Sequence, residues 1–286
     1  MELNYKEIVP ETMKLIDDNE FKLIRDLIYE KVGINLTDQK KALVTGRLQK
    51  VLRENHFKSF SDYYKYVIND KSGEALSDLV DKISTNHTFF GREYEHFDYF
   101  QKIVLPQIIE RKIKKNERDI RIWSAGCSTG EEPYTLVILM KEFLGNDYNK
   151  WDAGVLATDI STVALSKAIA GVYDQNRLHN FDKNLRDKYF TKNNDKYTIK
   201  DEIKREVTYK RFNLMNDFFP FKKAFDVIFC RNVMIYFDTE TRIQLVNKFY
   251  GILDNSGHLF IGHSETIDRR YTKFKYIKPA VYKTEL

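Results

Sequence analysis

The chain has 286 residues, of which 42% are hydrophobic and 31% are charged, and its formal net charge is +5 at pH 7. This length accommodates one large and one small domain, the composition excludes a disordered chain, and the charge is too small to indicate nucleic acid as the partner. No stretch approaches the length of a membrane span, and residues 1–7 lack a basic segment followed by an apolar run. We therefore expect a soluble cytoplasmic protein without membrane insertion.

The two cysteines and six histidines indicate neither a disulfide framework nor a metal site. Cys127 and Cys230 are too few for a framework, and the histidines lack metal-ligand spacing. We expect two buried free thiols and no bound metal.

Residues 18–84 are predicted to be wholly helical and to belong to a separate domain at 15–84. The first helix should stop at Gly33, and Thr37 is expected to cap the second. That second helix carries Arg47, Lys50 and Arg53 at three-residue spacing beside its apolar face. Such a row usually marks only a solvated surface, unless another feature requires an acidic partner.

Residues 85–118 are predicted to connect this domain to the rest of the chain. They begin with Asn86, Thr88 and Arg92, polar residues with no evident structural task among aromatic neighbours. A helix with Phe97 should follow, and Pro106 is expected to kink or interrupt it.

From residue 119 to residue 286 the pattern alternates between strands and helices. The predicted elements are strand 119–124, helix 132–144, strand 154–158, helix 161–170, strand 225–230, helix 239–253 and strand 257–262. This alternation predicts an α/β domain whose parallel sheet has helices on both faces. The segment 172–213 breaks the alternation, because it reads as a hairpin followed by a strand at 207–212. We expect a small antiparallel β insertion there.

A glycine turn after the first predicted strand indicates the kind of ligand. Gly126 and Gly130 allow a sharp turn and a close approach of the backbone, and Asp159 after the second strand can accept both hydroxyls of a ribose. Glu131 and Glu132 would repel a phosphate at the start of the next helix, and the P-loop lysine is missing. The pattern favours a nucleoside that has no phosphate and that carries a positively charged group. S-adenosylmethionine fits this description better than a dinucleotide.

Polar residues also follow the later strands, at the edge of the sheet where doubly wound folds bind ligands. Asn213 and Leu214 can contact an adenine, although a loop asparagine without such a role is more common. Arg231 and Asn232 follow a buried strand, and Tyr236 lies four residues beyond Asn232. Unpaired polar groups at such positions cost free energy, which favours a functional role for them.

Five ordered motifs, taken together, resemble those of the CheR-type chemotaxis receptor methyltransferases. They are residues 86–92 (Asn-His-Thr-Phe-Phe-Gly-Arg), 126–134 (Gly-Cys-Ser-Thr-Gly-Glu-Glu-Pro-Tyr), 157–159 (Ala-Thr-Asp), 229–237 (Phe-Cys-Arg-Asn-Val-Met-Ile-Tyr-Phe) and 262–265 (Gly-His-Ser-Glu). The resemblance implies a Rossmann-like methyltransferase domain at 119–286 after an all-α substrate-recognition domain. It also implies methyl transfer from S-adenosylmethionine to receptor glutamate side chains, with S-adenosylhomocysteine as the second product.

The resemblance implies roles for individual residues as well. Arg92 and Tyr236 are the candidate catalytic residues, and Glu132 rather than Glu131 supplies the acid after the turn. Gly91 departs from the family pattern, which commonly has an aromatic residue there. The residues implied to contact the cofactor are Asn86, Thr88, Arg92, Gly126, Glu132, Asp159, Asn213, Leu214, Arg231 and Asn232.

The resemblance also changes the interpretation of the basic helix. In this family the N-terminal domain meets the methylation helices of the receptor, so Arg47, Lys50 and Arg53 become candidates for binding an acidic helical substrate. The expected partner is the cytoplasmic helical domain of chemotaxis receptors, with the enzyme as a monomer. Whether residues 172–213 bind a receptor tail peptide stays open.

Two other functions are compatible with the cofactor fold. A nucleic-acid methyltransferase would tolerate a basic surface, but Arg231 and Asn232 stand where an Asn/Asp-Pro-Pro-Tyr motif would hold an exocyclic amine. A non-catalytic cofactor-binding module would not need Arg92 and Tyr236 beside the methyl group. Both alternatives are therefore less favoured than the receptor methyltransferase.

Overall fold

The computed structural model describes residues 15–285. Residues 1–14, on which the expectation about a targeting segment rests, and residue 286 lie outside the described part of the chain. Within residues 15–285, no helix is long and apolar enough to cross a membrane.

The N-terminal domain is a bundle of four helices. They are α1 (Asp18–Val32), α2 (Lys41–Glu54), α3 (Phe60–Asn69) and α4 (Glu74–Ile83). A capping box begins α1, since Asp17 and Glu20 each accept a hydrogen bond from the other's backbone N–H. The predicted stop at Gly33 is confirmed by its left-handed φ of 71°. The predicted capping role of Thr37 is wrong, because a 3₁₀ turn at Asp38–Lys40 precedes α2 and Thr37 makes no side-chain capping bond.

The connecting segment contains α5 (Tyr94–Tyr99), a π-helical turn (Phe100–Val104) and α6 (Leu105–Lys114). Pro106 lies in the first turn of α6, where its missing N–H removes a helical donor. The expected interruption therefore takes the form of a widened turn before the proline, and the helix continues through it.

The remaining elements follow the predicted alternation. The helices are α7 (Glu131–Leu144), α8 (Thr162–Ala170), α9 (Lys183–Tyr189), α10 (Asp201–Lys204) and α11 (Thr239–Ile252). The strands are β1 (Asp119–Ala125), β2 (Asp152–Asp159), β3 (Val172–Asp174), β4 (Phe190–Asn193), β5 (Lys196–Ile199), β6 (Val207–Arg211), β7 (Phe225–Cys230), β8 (Leu253–Ile261), β9 (Lys275–Lys278) and β10 (Val281–Lys283).

Seven of these strands form one sheet in the order β6-β2-β1-β7-β8-β10-β9. The first five pair in parallel, as predicted, while β10 and β9 add antiparallel at the C-terminal edge, which the sequence did not predict. Apolar clusters cover both faces of the sheet. One contains Phe100 and Leu136, and the other contains Trp123 and Phe249.

The β insertion is smaller than predicted. Strands β3, β5 and β4 form a separate antiparallel sheet, as the predicted hairpin required. Strand β6, expected to belong to the insertion at 172–213, instead pairs in parallel with β2 of the main sheet. The antiparallel sheet is therefore confined to residues 172–199.

Candidate functional site

A cavity lies between the helical domain and the carboxyl ends of β1, β2 and β7, where the predicted site residues converge. The helical side contributes Val32, Ile34, Leu36, Lys40, Leu43 and Ile83. The lining also includes every predicted cofactor and catalytic residue, namely Asn86, Thr88, Arg92, Gly126, Glu132, Asp159, Asn213, Leu214, Arg231, Asn232 and Tyr236. The predicted substrate residues Arg47, Lys50 and Arg53 are not part of this lining.

The glycine turn brings the ends of β1 and β7 into close approach. Gly126 has φ 81°, and a Cβ at this position would lie 2.3 Å from Cγ2 of Val233. Any larger side chain is therefore excluded by both conformation and space.

The Asp159 carboxylate is fixed by backbone donors on either side of it. Oδ2 accepts from Ser128 N at 2.8 Å, and Oδ1 accepts from Ser161 N at 2.9 Å. Burial raises the pKa of Asp159 above its ordinary value, although the bonds from Ser161 and Ser128 oppose the shift. The carboxylate is thus held in one orientation at the cavity wall.

The two glutamates that begin α7 have different environments. Glu131 is almost fully buried, accepts from Thr129 Oγ1 at 2.7 Å and lies 3.4 Å from Arg177 Nη1, and burial raises its pKa. Glu132 accepts from Ser124 Oγ at 2.7 Å and keeps 14% of its side chain exposed. Their two carboxylates make this helix start unfavourable for a phosphate.

The Arg231 guanidinium is enclosed by partners from three segments. Nη1 donates to Glu132 Oε2 at 2.9 Å, and Nη2 donates to Glu93 Oε2 at 3.1 Å and to the carbonyl oxygen of Arg92. The group also lies 4.9 Å from the ring centroid of Phe97. Arg231 therefore links the end of β7 to the start of α7 and to the segment that carries Arg92.

Glu93 is a site residue that the sequence analysis missed. It has a left-handed φ of 53°, and its Oε1 accepts from Asn232 Nδ2 at 3.2 Å. Burial alone would raise the pKa of Glu93, but Arg231 and Asn232 outweigh burial and hold the pKa below its ordinary value. The sequence signal that could have identified Glu93 is an acidic residue directly after Arg92 and before a helix.

The contacts of Glu265 account for the last of the five motifs, residues 262–265. Its carboxylate accepts from the backbone N–H groups of Asn232, Ile235 and Gly262, and so shapes the loop after β7. Asn232 has φ 60° in this loop, a conformation that asparagine tolerates better than most residues.

The segment before α5 is also held against the turn. Asn86 Oδ1 accepts from Ser128 Oγ at 3.4 Å, and Arg177 donates to the carbonyl oxygen of Thr88. Arg92 Nη1 donates to the carbonyl oxygen of His87 at 2.6 Å. Gly91 has φ 80°, and a Cβ there would lie 2.8 Å from the carbonyl oxygen of Asn180, so the chain packs too closely for an aromatic residue.

The helical domain closes the other side of the cavity through a few polar contacts. Asn213 Nδ2 donates to the carbonyl oxygen of Lys31 at 2.7 Å, and Asn35 N donates to the carbonyl oxygen of Tyr236 at 2.8 Å. Tyr236 Oη lies 3.4 Å from the carbonyl oxygen of Thr85, and Lys40 Nζ lies 5.4 Å from the Tyr236 ring centroid. Tyr236 is therefore at the boundary between the two domains.

The three basic residues predicted on α2 do not share the same environment. The Arg47 guanidinium donates to the carbonyl oxygens of residues 82–84 and to Thr85 Oγ1, so it caps the end of α4. Lys50 and Arg53 are exposed, and Lys50 lies 3.6 Å from Glu54. The expectation of three cations on one exposed surface thus holds for two of them, because Arg47 is used within the protein.

Two histidines approach Glu93, although the sequence showed no metal-ligand spacing. One potential ligand atom each from Glu93, His96 and His263 lies within 4.8 Å of the others. However, the Glu93 carboxylate is already paired with Arg231, whose positive charge would repel a metal cation at this position. We assign no metal to this cluster.

Residues 19–84 match the family model described as the CheR methyltransferase all-alpha domain, and residues 86–283 match the CheR methyltransferase SAM binding domain. The chain belongs to the CheR methyltransferase family. As a CheR family member it uses S-adenosylmethionine as its cofactor. The carboxylates of Asp159, Glu131 and Glu132 around the cavity suit a cofactor that carries positive charge.

Named relatives agree with this assignment over almost the whole chain. A chemotaxis protein methyltransferase from Borreliella burgdorferi is 44% identical, over 94% of this chain and 95% of the relative. A probable chemotaxis protein methyltransferase from Rhizobium etli is 38% identical over 84% and 90%, and the Escherichia coli chemotaxis protein methyltransferase is 32% identical over 90% and 88%. The CheR chain described here therefore has the activity of a chemotaxis protein methyltransferase.

Proposed function

We propose that this CheR family member methylates glutamate side chains in the cytoplasmic helical domain of chemotaxis receptors. The products would be glutamate methyl esters and S-adenosylhomocysteine. One observation carries the proposal. Carboxylates suited to a cationic nucleoside share a cavity with Arg92 and Tyr236, at the boundary with a helical domain that can receive a protein substrate.

The cofactor would be held by groups that the fold has already oriented. Each Asp159 oxygen accepts one backbone hydrogen bond and keeps a lone pair for a ribose hydroxyl. Glu132 is the better candidate of the two glutamates because more of its carboxylate remains exposed. Arg231 would act on the cofactor chiefly by orienting Glu132 and the backbone of Arg92, since those groups occupy its donors.

The sulfonium of S-adenosylmethionine supplies an activated methyl group. A substrate glutamate, whose ordinary pKa is about 4.3, is ionised at neutral pH and can attack without a general base. The substrate carboxylate oxygen would bond to the methyl carbon as that carbon leaves the sulfur, so no residue of the protein would have to move a proton. The protein therefore contributes mainly alignment.

Arg92 and Tyr236 would provide that alignment. The Arg92 guanidinium has a rigid fork of donors, of which one Nη1 contact to His87 is already made. The Tyr236 hydroxyl makes only a long contact of 3.4 Å to Thr85, so it can turn to donate to an incoming carboxylate. Lys50 and Arg53 on the exposed face of α2 would attract an acidic receptor helix.

The proposal is tested with methyl-labelled S-adenosylmethionine and four samples: a receptor cytoplasmic fragment, duplex DNA, RNA and no substrate. We expect label in the receptor fragment alone, released as methanol by mild base because glutamate methyl esters are base-labile. A Tyr236→Phe variant serves as the matched enzyme control and should label more slowly. Label in nucleic acid, or label that survives base, would contradict the proposal.

A further inference from the structure

A second groove lies next to the cofactor cavity, between the helical domain and the start of α8. Its lining includes Asn86, which also lines the cofactor cavity, and Val163 of α8. We call it the acidic–aromatic groove after six of its residues, Glu54, Phe57, Tyr63, Tyr66, Asp78 and Asp81. None of the functions described above uses these side chains.

Two buried polar atoms in this groove have no hydrogen-bond partner among the described residues. They are Tyr63 Oη and Asp81 Oδ1. Tyr63 is only 2% exposed, and burial together with the charge of Asp78 raises its pKa, so the phenol stays neutral. The other Asp81 oxygen accepts from Thr162 Oγ1 at 3.0 Å, which orients the carboxylate. Unpaired polar groups at buried positions carry a desolvation penalty that a ligand would remove.

The groove also has rings and charges that suit a cation. The Phe57 ring lies 5.3 Å from both the Tyr63 and the Tyr66 ring centroids, and Tyr66 is 53% exposed. Glu54, Asp78 and Asp81 bring three negative charges, while Lys82 in the lining brings one positive charge. Lys50 lies 3.6 Å from Glu54 and offsets part of that charge. The two aspartates keep no lysine or arginine partner among the ion pairs of the described chain, so the groove remains negative.

We infer that the acidic–aromatic groove binds an arginine side chain of the protein substrate. A guanidinium can stack on an aromatic ring while its N–H groups donate to the exposed Asp78 carboxylate, to Asp81 Oδ1 and to Tyr63 Oη. Because Asn86 lies on both the groove and the cofactor cavity, an arginine held there would be close enough to that cavity to come from the same polypeptide as the reacting glutamate. The inference rests on the proposed function for the identity of the substrate, but not for the chemistry of the groove.

The chemistry of the groove is tested without the receptor. The ¹⁵N-labelled enzyme is titrated with N-acetyl-L-arginine amide and, as a matched control, with N-acetyl-L-citrulline amide, which has nearly the same shape and no charge. We expect saturable shifts for the amides of residues 57, 63, 66, 78 and 81 with the arginine amide alone. No shifts, or equal shifts with citrulline, would overturn the inference whatever the substrate is.

The role in substrate binding is tested by kinetics with a receptor cytoplasmic fragment. Tyr63→Phe and Asp78→Asn should each raise KM for the fragment about threefold or more, since each removes one polar contact. Affinity for S-adenosylmethionine should not change, and Tyr63→Phe should melt no lower than wild type because the deleted hydroxyl has no partner among the described residues. Glu74→Gln, on α4 and outside the groove, is the control.

The two proposals fail in different ways. Unchanged KM in both variants would overturn the arginine site while the receptor is still methylated. Absence of methyl transfer to any receptor fragment by wild type would instead overturn the proposed function. The titration with arginine amide would still show whether the groove binds an arginine side chain.

Discussion

The two domains on either side of the cofactor cavity differ in where they keep their charges. Among the described residues of the helical domain, the buried side chains with polar groups are Thr45, Tyr63 and Ser77, and none of them is charged. The methyltransferase domain buries Glu131, Asp159 and Arg231 at the cavity. Asp226 and Glu265 of that domain are also buried, as is Lys112 of the connecting helix α6.

This difference fits the proposed roles, in which one domain holds the cofactor and the other recognises the receptor. Fixed charges beside a reacting centre need no reorganisation during the reaction, which is the main source of electrostatic catalysis. Exposed charges on a recognition surface attract a partner from a distance but are screened by salt within about 8 Å at physiological ionic strength. Cofactor chemistry should therefore respond to buried substitutions, and substrate recognition should respond to surface charge and salt.

The largest effect is expected from Asp159→Ala. Removing the carboxylate eliminates charge-assisted hydrogen bonds to the ribose of about 1.5–3 kcal/mol each, so affinity for S-adenosylmethionine should fall at least tenfold. Calorimetry measures the decrease, and circular dichroism shows whether the variant is folded. Unchanged affinity in a folded variant would remove Asp159 from the ribose site.

The next effect concerns the rate of methyl transfer. Tyr236→Phe and Arg92→Lys should each lower the single-turnover rate more than tenfold, because the substrate carboxylate is no longer aligned. The wild-type rate should be nearly independent of pH between about 6 and 8 at saturation, since no enzyme group exchanges a proton. A full rate for Tyr236→Phe, or a steep pH dependence from one enzyme group, would show that these roles are wrong.

A third prediction separates the domains by their response to acid. Burial, followed by the charges of Lys283 and Arg111, lowers the pKa of His258 from 6.5 to about 3. His258 is therefore protonated near pH 6.5 in the unfolded chain but only near pH 3 in the native protein. Stability from this group is present above pH 6.5 and is lost as the pH falls.

Protonation of His258 in the unfolded chain should lower the free energy of unfolding by about 1.4 kcal/mol when the pH falls from 7.5 to 5.5. Urea unfolding of a His258→Gln variant should show a correspondingly weaker decrease in stability on acidification than wild type. His56→Asn, at an exposed position of the helical domain with φ 57°, is the matched histidine control. Equal pH dependence in wild type and His258→Gln would contradict the buried-histidine explanation.

The smallest effect is expected at the helical surface. Lys50→Glu with Arg53→Glu should raise KM for a receptor fragment several-fold and leave cofactor affinity unchanged, and added salt should weaken the wild-type reaction in the same way. Arg47→Ala should instead lower the melting temperature, because it uncaps α4. Receptor kinetics that depend on Arg47 but not on Lys50 or Arg53 would reverse this assignment.

Much of the fold and cavity could be predicted because the relevant signals are local. Strand β7 is a continuous apolar run with buried residues throughout, and its predicted bounds match the structure. Gly126 and Asn232 follow strand ends and Asp159 is the last residue of β2, so the parallel sheet brings all three together without further information.

The errors and omissions concern partners distant in sequence. Strand β6 looks like part of the insertion until its pairing with β2 is known, and that pairing spans about fifty residues. Arg47 reads as a surface cation because its acceptors are carbonyl groups more than thirty positions away. Glu93 escaped notice because its importance depends on Arg231, which lies 138 positions further along the chain.

The cap that Arg47 places on α4 also connects α2 to the cofactor cavity through one side chain. The same guanidinium holds Ser84 and Thr85, and the chain continues directly to Asn86 at the cofactor cavity. A receptor helix that shifts α2 would therefore carry Asn86 with it. By thermodynamic reciprocity, any change in cofactor affinity that receptor docking produces is matched by an equal change in receptor affinity when the cofactor binds. Measuring the two affinities, each with and without the other ligand, would give the strength of this linkage in wild type and in Arg47→Ala.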